Sequence, residues 1–107
     1  MRKLAPIQVG LVPISEKHLD YANTVKAKLE AAGLRVELDA RNEKMNAKIR
    51  EFTLQKLPFV LIMGDKEAAT NSVSVRTRGK GDEGTTPLEA FLTRATTLLI
   101  SKSAELI

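Results

Sequence analysis

Apolar positions along the chain switch between two periods. Ile7 to Val12 is a short apolar run closed by Pro13, too short for a helix, and it predicts a buried strand. Ser15 is placed to cap the helix that follows, which runs to about Ala32. Its apolar residues Ala22, Val25, Leu29 and Ala32 fall on one face at helical spacing, and Gly33 supplies the left-handed residue that ends it. Leu34 to Asp39 alternates apolar and polar, the pattern of a strand packed on one side. A strand–helix–strand unit of this kind crosses over right-handed into a parallel pair.

A second helix is expected over about Glu43–Lys56, capped by Asn42 or Asp39. Met45, Ile49 and Phe52 form its buried face, while Lys44, Lys48, Glu51 and Gln55 fall on another and Arg50 projects between the two. Phe59 to Met63 is apolar throughout, as in a central strand covered on both faces. After the turn Gly64–Glu67, the stretch Ala68–Asn71 suits either one helical turn or an irregular loop. Ser72 to Arg78 then alternates strictly. Too few residues precede it for a parallel crossover, so it is expected to run antiparallel. A glycine-rich turn leads to a very short edge strand near Gly84–Thr86. Thr86 caps a last helix, with Pro87 in its first position, Glu89 completing a capping box, and Leu88, Phe91, Leu92, Ala95 and Leu99 as its stripe. Ser101–Ile107 is expected to fray. The pattern predicts an α/β fold: a three-layer α/β/α sandwich with three main helices and a mixed five-stranded sheet of order 2-1-3-4-5, strand 4 antiparallel. It is one domain over 1–107, with an ordered core of about 4–101.

Composition narrows the function. At 107 residues there is room for one core. There is no cysteine for a disulfide framework or thiolate site, no apolar run of membrane-spanning length, and no signal-peptide pattern at the N-terminus, so a cytoplasmic protein is expected. Net charge is +4 and unevenly spread: residues 41–80 carry nine basic and four acidic side chains. Clustered Lys and Arg are what phosphate binding requires.

The chemistry of catalysis is missing. The single histidine, His18, falls in the first turn of a helix and is expected to be solvated. One histidine and no cysteine make a transition-metal site improbable. There is no nucleophile elbow, no P-loop and no dinucleotide fingerprint. Gly79, Gly81 and Gly84 are turn residues. What remains is a set of polar side chains suited to recognition: Asn42, Arg50, Lys56, Glu67 and Arg76. Asn42 and Glu67 stand just past the carboxyl ends of parallel strands, where open α/β sheets bind ligands. Whether Arg76 reaches the same rim is left open. Arg and Asn make bidentate contacts with base edges, a carboxylate accepts from amino groups, and Lys neutralises phosphate. Single-stranded RNA exposes those edges. Each of these residues taken alone is also an ordinary exposed side chain. One tyrosine and three phenylalanines leave little for base stacking.

Several blocks occur in order at matching spacing: Leu4-Ala5-Pro6-Ile7-Gln8-Val9, Arg41-Asn42-Glu43-Lys44, Lys48-Ile49-Arg50-Glu51, Gly64-Asp65-Lys66-Glu67 and Val73-Ser74-Val75-Arg76-Thr77-Arg78. Together they resemble the C-terminal anticodon-binding domain of threonyl-tRNA synthetase, a class II synthetase, over about residues 4–95. The general fold is shared with the histidyl, prolyl and glycyl enzymes. The resemblance implies a module that contacts the anticodon loop of threonine tRNA, chiefly the second and third bases, through Asn42, Arg50, Lys56, Glu67 and Arg76. It implies no catalysis and no cofactor in this domain. ATP, Mg and Zn belong to a separate catalytic domain of an enzyme that is a homodimer when complete. The chain departs from the family at Lys56, often arginine there. It departs also at Lys3, where an aromatic is usual, and at Asp82-Glu83-Gly84, where leucine usually fills the middle position. The fold alone also permits a free-standing nucleotide-binding or protein-interaction domain.

Overall fold

Phe59–Met63 is the centre of the sheet, and all five of its residues are buried. The computed structural model of the chain describes residues 7–41 and 43–97. Its strands are β1 (Val9–Pro13), β2 (Val36–Leu38), β3 (Phe59–Met63), β4 (Ser72–Thr77) and β5 (Gly81–Pro87). They hydrogen-bond in the order β2-β1-β3-β4-β5. β1 lies parallel to both β2 and β3, and β4 runs antiparallel to β3 and β5. The order and directions match those expected from the sequence.

A 3-10 turn over Glu16–His18 leads into α1 (Leu19–Ala31), followed along the chain by α2 (Met45–Leu54), α3 (Asp65–Thr70) and α4 (Leu88–Ala95). The side-chain period of two splits each strand between the faces. Leu61 and Met63 join the larger core with residues of α1 and α4, including Val25, Leu29, Leu88 and Phe91. The rings of Phe59 and Phe91 meet edge to face, with centroids 5.2 Å apart. Val60 and Ile62 face the other way, against Phe52 and Leu57, with Met45 and Ile49 at the margin. That second core draws on β1, β3, α2 and the residues next to them, and on nothing from β4 or β5. Among the described residues, the apolar packing on the α2 side of the sheet therefore lies over β1 and β3.

Several boundaries differ from expectation. Residues 65–70 form a helix, making four rather than three. Helix α2 begins at Met45, with Lys44 as its cap and no side-chain capping bond. Asp39 does not cap it, because both its oxygens are taken by Arg41, at 2.9 and 2.8 Å from the guanidinium. Asn42 lies outside the described residues, as do Leu99 and Ser101–Ile107. β5 is a seven-residue strand rather than a short edge, held in a hairpin with β4 that slips register between Val75 and Arg76. Thr86 is consequently still in the strand, and Pro87 rather than Thr86 is the cap of α4.

Candidate nucleic-acid interface

Arg76 stands near the end of β4. In the antiparallel register Arg76 stands opposite Val60, which points toward α2, so the arginine shares that face. A cleft of about 180 Å³ opens there. Ile49 and Thr53 of α2 form one wall, Val60 lies at its base, and Arg76, Arg78 and Gly79 form the other wall. Arg76 is half-buried and has no side-chain partner among the described residues. A guanidinium at the side of a cleft with its donors unspent is suited to a planar acceptor such as a base edge or a phosphate.

Arg50 is exposed on the outward side of α2. Glu43, Ala47, Arg50 and Leu54 fall at i, i+4, i+7 and i+11 and line a broad, shallow groove together with Arg41 and Lys44. Leu54 is 69% exposed, an apolar ledge one turn from Arg50.

Lys56 stands where the helix stops. Its N–H bonds to the Thr53 carbonyl and that of Leu57 to the Phe52 carbonyl, the paired bonds of a Schellman ending. The residue at Lys56 must then adopt the left-handed conformation, and its φ is 62°. Glycine is the usual occupant, and a lysine there costs roughly 1–2 kcal/mol. Strain at an exposed charged residue points to a use for the charge.

Glu67 is elsewhere. It occupies the third position of α3, and its Oε1 accepts the Gly64 N–H at 2.9 Å. Burial chiefly, and the Glu67 carboxylate second, hold the Tyr21 phenol above its ordinary range. Arg76 pairs with the second residue of β3, whereas Glu67 follows the last residue of β3 by four positions. The two are separated along the strand by about 10 Å or more. Arg76 thus lies toward the amino end of β3, and the carboxyl-rim site expected from the sequence holds Glu67 without it. The described candidates sit on separate elements: Glu67 on α3, Arg50 on the outward side of α2, Lys56 just past the end of α2 and Arg76 on β4. The structure does not gather them into one pocket.

Two buried polar groups escaped the sequence. Lys48, expected on an exposed face, is 4% exposed, and its Nζ donates to the Pro13 carbonyl at 3.4 Å. The signal was available: Met45, Lys48, Ile49 and Phe52 fall at i, i+3, i+4 and i+7, so Lys48 occupies a core position. His18, expected to be solvated, is buried. Its Nδ1 accepts the Ser15 backbone N–H at 3.2 Å, which leaves Nε2 to carry the proton and donate to Asp65 Oδ1 at 2.7 Å. That bond first, and Lys17 second, keep the Asp65 carboxyl below the usual range. No local pattern could announce a partner 47 residues away.

Among the described residues no group of three or more His, Cys, Asp or Glu is placed to hold a metal ion. None of their helices is long and apolar enough to cross a membrane.

Residues 8–98 match the protein family described as "Anticodon binding domain". Among relatives, a threonine–tRNA ligase of Acidobacterium capsulatum is 71% identical over 103 residues, covering 96% of this chain and 15% of that protein. A threonine–tRNA ligase of Thermus thermophilus is 53% identical over 89 residues, covering 83% and 14%. The chain therefore spans about 15% of the length of these relatives. Among solved structures, the RNA-binding domain of threonyl-tRNA synthetase from Cryptosporidium parvum superposes with a TM-score of 0.82 at 29% identity, covering 88% of this chain and 24% of that one. Prolyl-tRNA synthetase from the same organism gives 0.80 at 25% identity, covering 91% and 21%.

Proposed function

The chain belongs to the anticodon-binding domain family, and from that premise we propose that it is the tRNA-reading module of a threonine–tRNA ligase. In this reading it is a single domain over residues 1–107 that binds the anticodon loop of threonine tRNA. A separate catalytic domain of the same enzyme, supplied with ATP, Mg and Zn, attaches threonine, and this module catalyses nothing. The complete enzyme is a homodimer acting in the cytoplasm.

The observation that carries the reading is a set of unspent basic side chains: Arg50, Lys56 and Arg76 have no side-chain partners among the described residues. Arg50 lines a broad groove on α2, Lys56 ends that helix, and Arg76 lines the cleft between α2 and β4. Separate forked and charged donors of this kind suit the exposed edges and phosphates of an unstacked single strand. We assign Arg76 and Arg50 to base edges or phosphates through their forked donors and Lys56 to a phosphate. Glu67 accepts from an exocyclic amino group. Asn42 makes paired contacts with a base through its amide.

Protection of threonine tRNA from hydroxyl-radical cleavage tests the assignment. The chain should shield the anticodon loop and leave the acceptor stem open. Protection of the acceptor stem with an open anticodon loop would contradict it.

A further inference from the structure

Helix α3 carries Glu67, yet none of its six residues is buried. The helix therefore has no apolar anchor of its own, and apolar packing is in any case non-directional. Side-chain hydrogen bonds reach both of its ends from the start of α1. At the first residue of α3, His18 Nε2 donates to Asp65 Oδ1 at 2.7 Å. Just past the last residue, the Tyr21 hydroxyl donates to the Ser72 carbonyl at 2.6 Å. His18 and Tyr21 stand at i and i+3, on one side of the first turn of α1.

The two gripping residues are themselves fixed. Tyr21 packs against the larger core, and His18 is buried with its Nδ1 accepting the Ser15 N–H. The Ile14 N–H donates to the Met63 carbonyl at 2.9 Å, which fastens the loop before His18 to the end of β3. The Ile14 side chain closes over the cap of α3: a Cβ on Gly64 would fall 2.7 Å from its Cδ1. Within α3, Glu67 Oε1 accepts the Gly64 N–H, and Oε2 has no hydrogen-bond partner among the described residues. Lys17 reaches Asp65, at 3.4 Å, and not Glu67, which has no cationic partner among the described residues. One oxygen thus ties the Glu67 carboxylate to the cap, and the other is free to accept.

We propose that His18 and Tyr21 are positioning residues, whose bonds to the two ends of α3 set the direction of that helix and so aim the free oxygen of Glu67 at RNA. Hydrogen bonds weaken steeply away from their preferred angle. A pair at the two ends therefore fixes an orientation that one contact alone would leave free to pivot. The Asp65 side chain is 76% exposed, so water can satisfy it as well as His18 does, and the main effect of the bond is on direction. The proposal rests on the anticodon-binding reading, which assigns Glu67 to an exocyclic amino group.

The test uses the 107-residue chain with His18→Leu, Tyr21→Phe and Glu67→Gln, singly and with each of the first two combined with the third. Two readouts are taken: backbone amide resonances, and preference for a threonine anticodon stem-loop over one with its second and third anticodon bases changed. His18→Leu and Tyr21→Phe should each move the amides of residues 65–71 more than those of α2. Each should lower the preference about tenfold, within the range for one misplaced base contact. Neither should lower further the preference that remains in Glu67→Gln, because the group being aimed is then already changed. His18→Gln, whose amide can still donate to Asp65, should keep the wild-type preference. A further loss in the Glu67→Gln background overturns the proposal, since the pair would then act elsewhere. Unmoved α3 amides or an intact preference in both single variants overturn it as well. An undiminished preference in Glu67→Gln removes Glu67 from recognition and the proposal with it, while the anticodon reading stands on Arg50 and Arg76. If the wild type shows no preference, the anticodon reading falls, and the amides alone decide whether the pair orients α3. Tyr21→Phe keeps the test decisive should His18→Leu fail to fold.

Discussion

The ring of Phe52 lies directly against the backbone of Gly10: a Cβ on that glycine would fall 2.6 Å from the ring. The contact sets how closely α2 approaches β1, and with it the width of the groove between α2 and the β4 face. Gly10→Ala should therefore push α2 outward and destabilise the fold by about 1–3 kcal/mol, the usual cost of overpacking a tight core. Thermal unfolding should show a lower midpoint, and RNA binding should weaken even at temperatures where the variant is folded. An unchanged midpoint would mean that α2 can shift freely on the sheet.

Lys56 separates stability from function. Replacing it by glycine removes the left-handed strain and the positive charge together. Lys56→Gly should leave the melting temperature unchanged or raise it by a few degrees, because relief of about 1–2 kcal/mol is partly offset by the greater freedom of glycine in the unfolded chain. Binding to RNA should fall at low salt, and the slope of log affinity against log salt should shrink by about one. A variant both less stable and unchanged in salt slope would remove Lys56 from the interface.

Arg76 and Glu67 are tested best by conservative changes. Arg76→Lys keeps the charge and loses the fork, so discrimination against a wrong base should fall by about 1–3 kcal/mol while the salt slope stays put. Glu67→Gln retains an oxygen that can accept the Gly64 N–H, so α3 should still start normally. The loss expected is in selectivity, measured by competition between loops, with little change in thermal midpoint.

The acid limb of stability reports on Asp39. Its carboxyl is held low in the folded chain by Arg41. Its stabilising contribution is therefore present in full above the ordinary carboxylate range, and it is lost as pH falls through the lowered folded value. Asp39→Asn should flatten the fall in stability below about pH 4. Denaturant titrations at several pH values check this. An acid limb as steep as in the wild type would place the titration elsewhere, for instance at Asp65, which His18 and Lys17 also hold low.

Strand order and helix faces were legible because they follow from period. Phe59–Met63 announces a strand buried on both sides, and the short link to Ser72 forces β4 antiparallel. Legibility ended where distant groups compete for a local one. Asp39 has the chemistry of a helix cap, yet it is spent on Arg41. Thr86 has the chemistry of a cap too, yet the β4–β5 hairpin extends through it. His18 is buried by its bonds to Ser15 and to Asp65, the latter from α3, far along the chain. Lys48 was misplaced for a different reason: the expectation for lysine overrode a helical spacing that put it in the core. Candidate residues could be named from the sequence, but their arrangement in space could not. The antiparallel direction of β4 implies that Arg76 lies toward the opposite end of β3 from Glu67; whether its side chain could still reach the rim was what the sequence left open.

The most direct measurement is the affinity of the chain for a threonine anticodon stem-loop, beside the same stem-loop with its second and third anticodon bases changed, at two salt concentrations. Sequence readout predicts a preference for the unchanged loop that persists at the higher salt, where contacts to phosphate alone are weakened. Equal binding to both loops that collapses together as salt rises would mean that only the basic surface is at work, and would contradict the assignment of Arg50, Glu67 and Arg76 to base recognition.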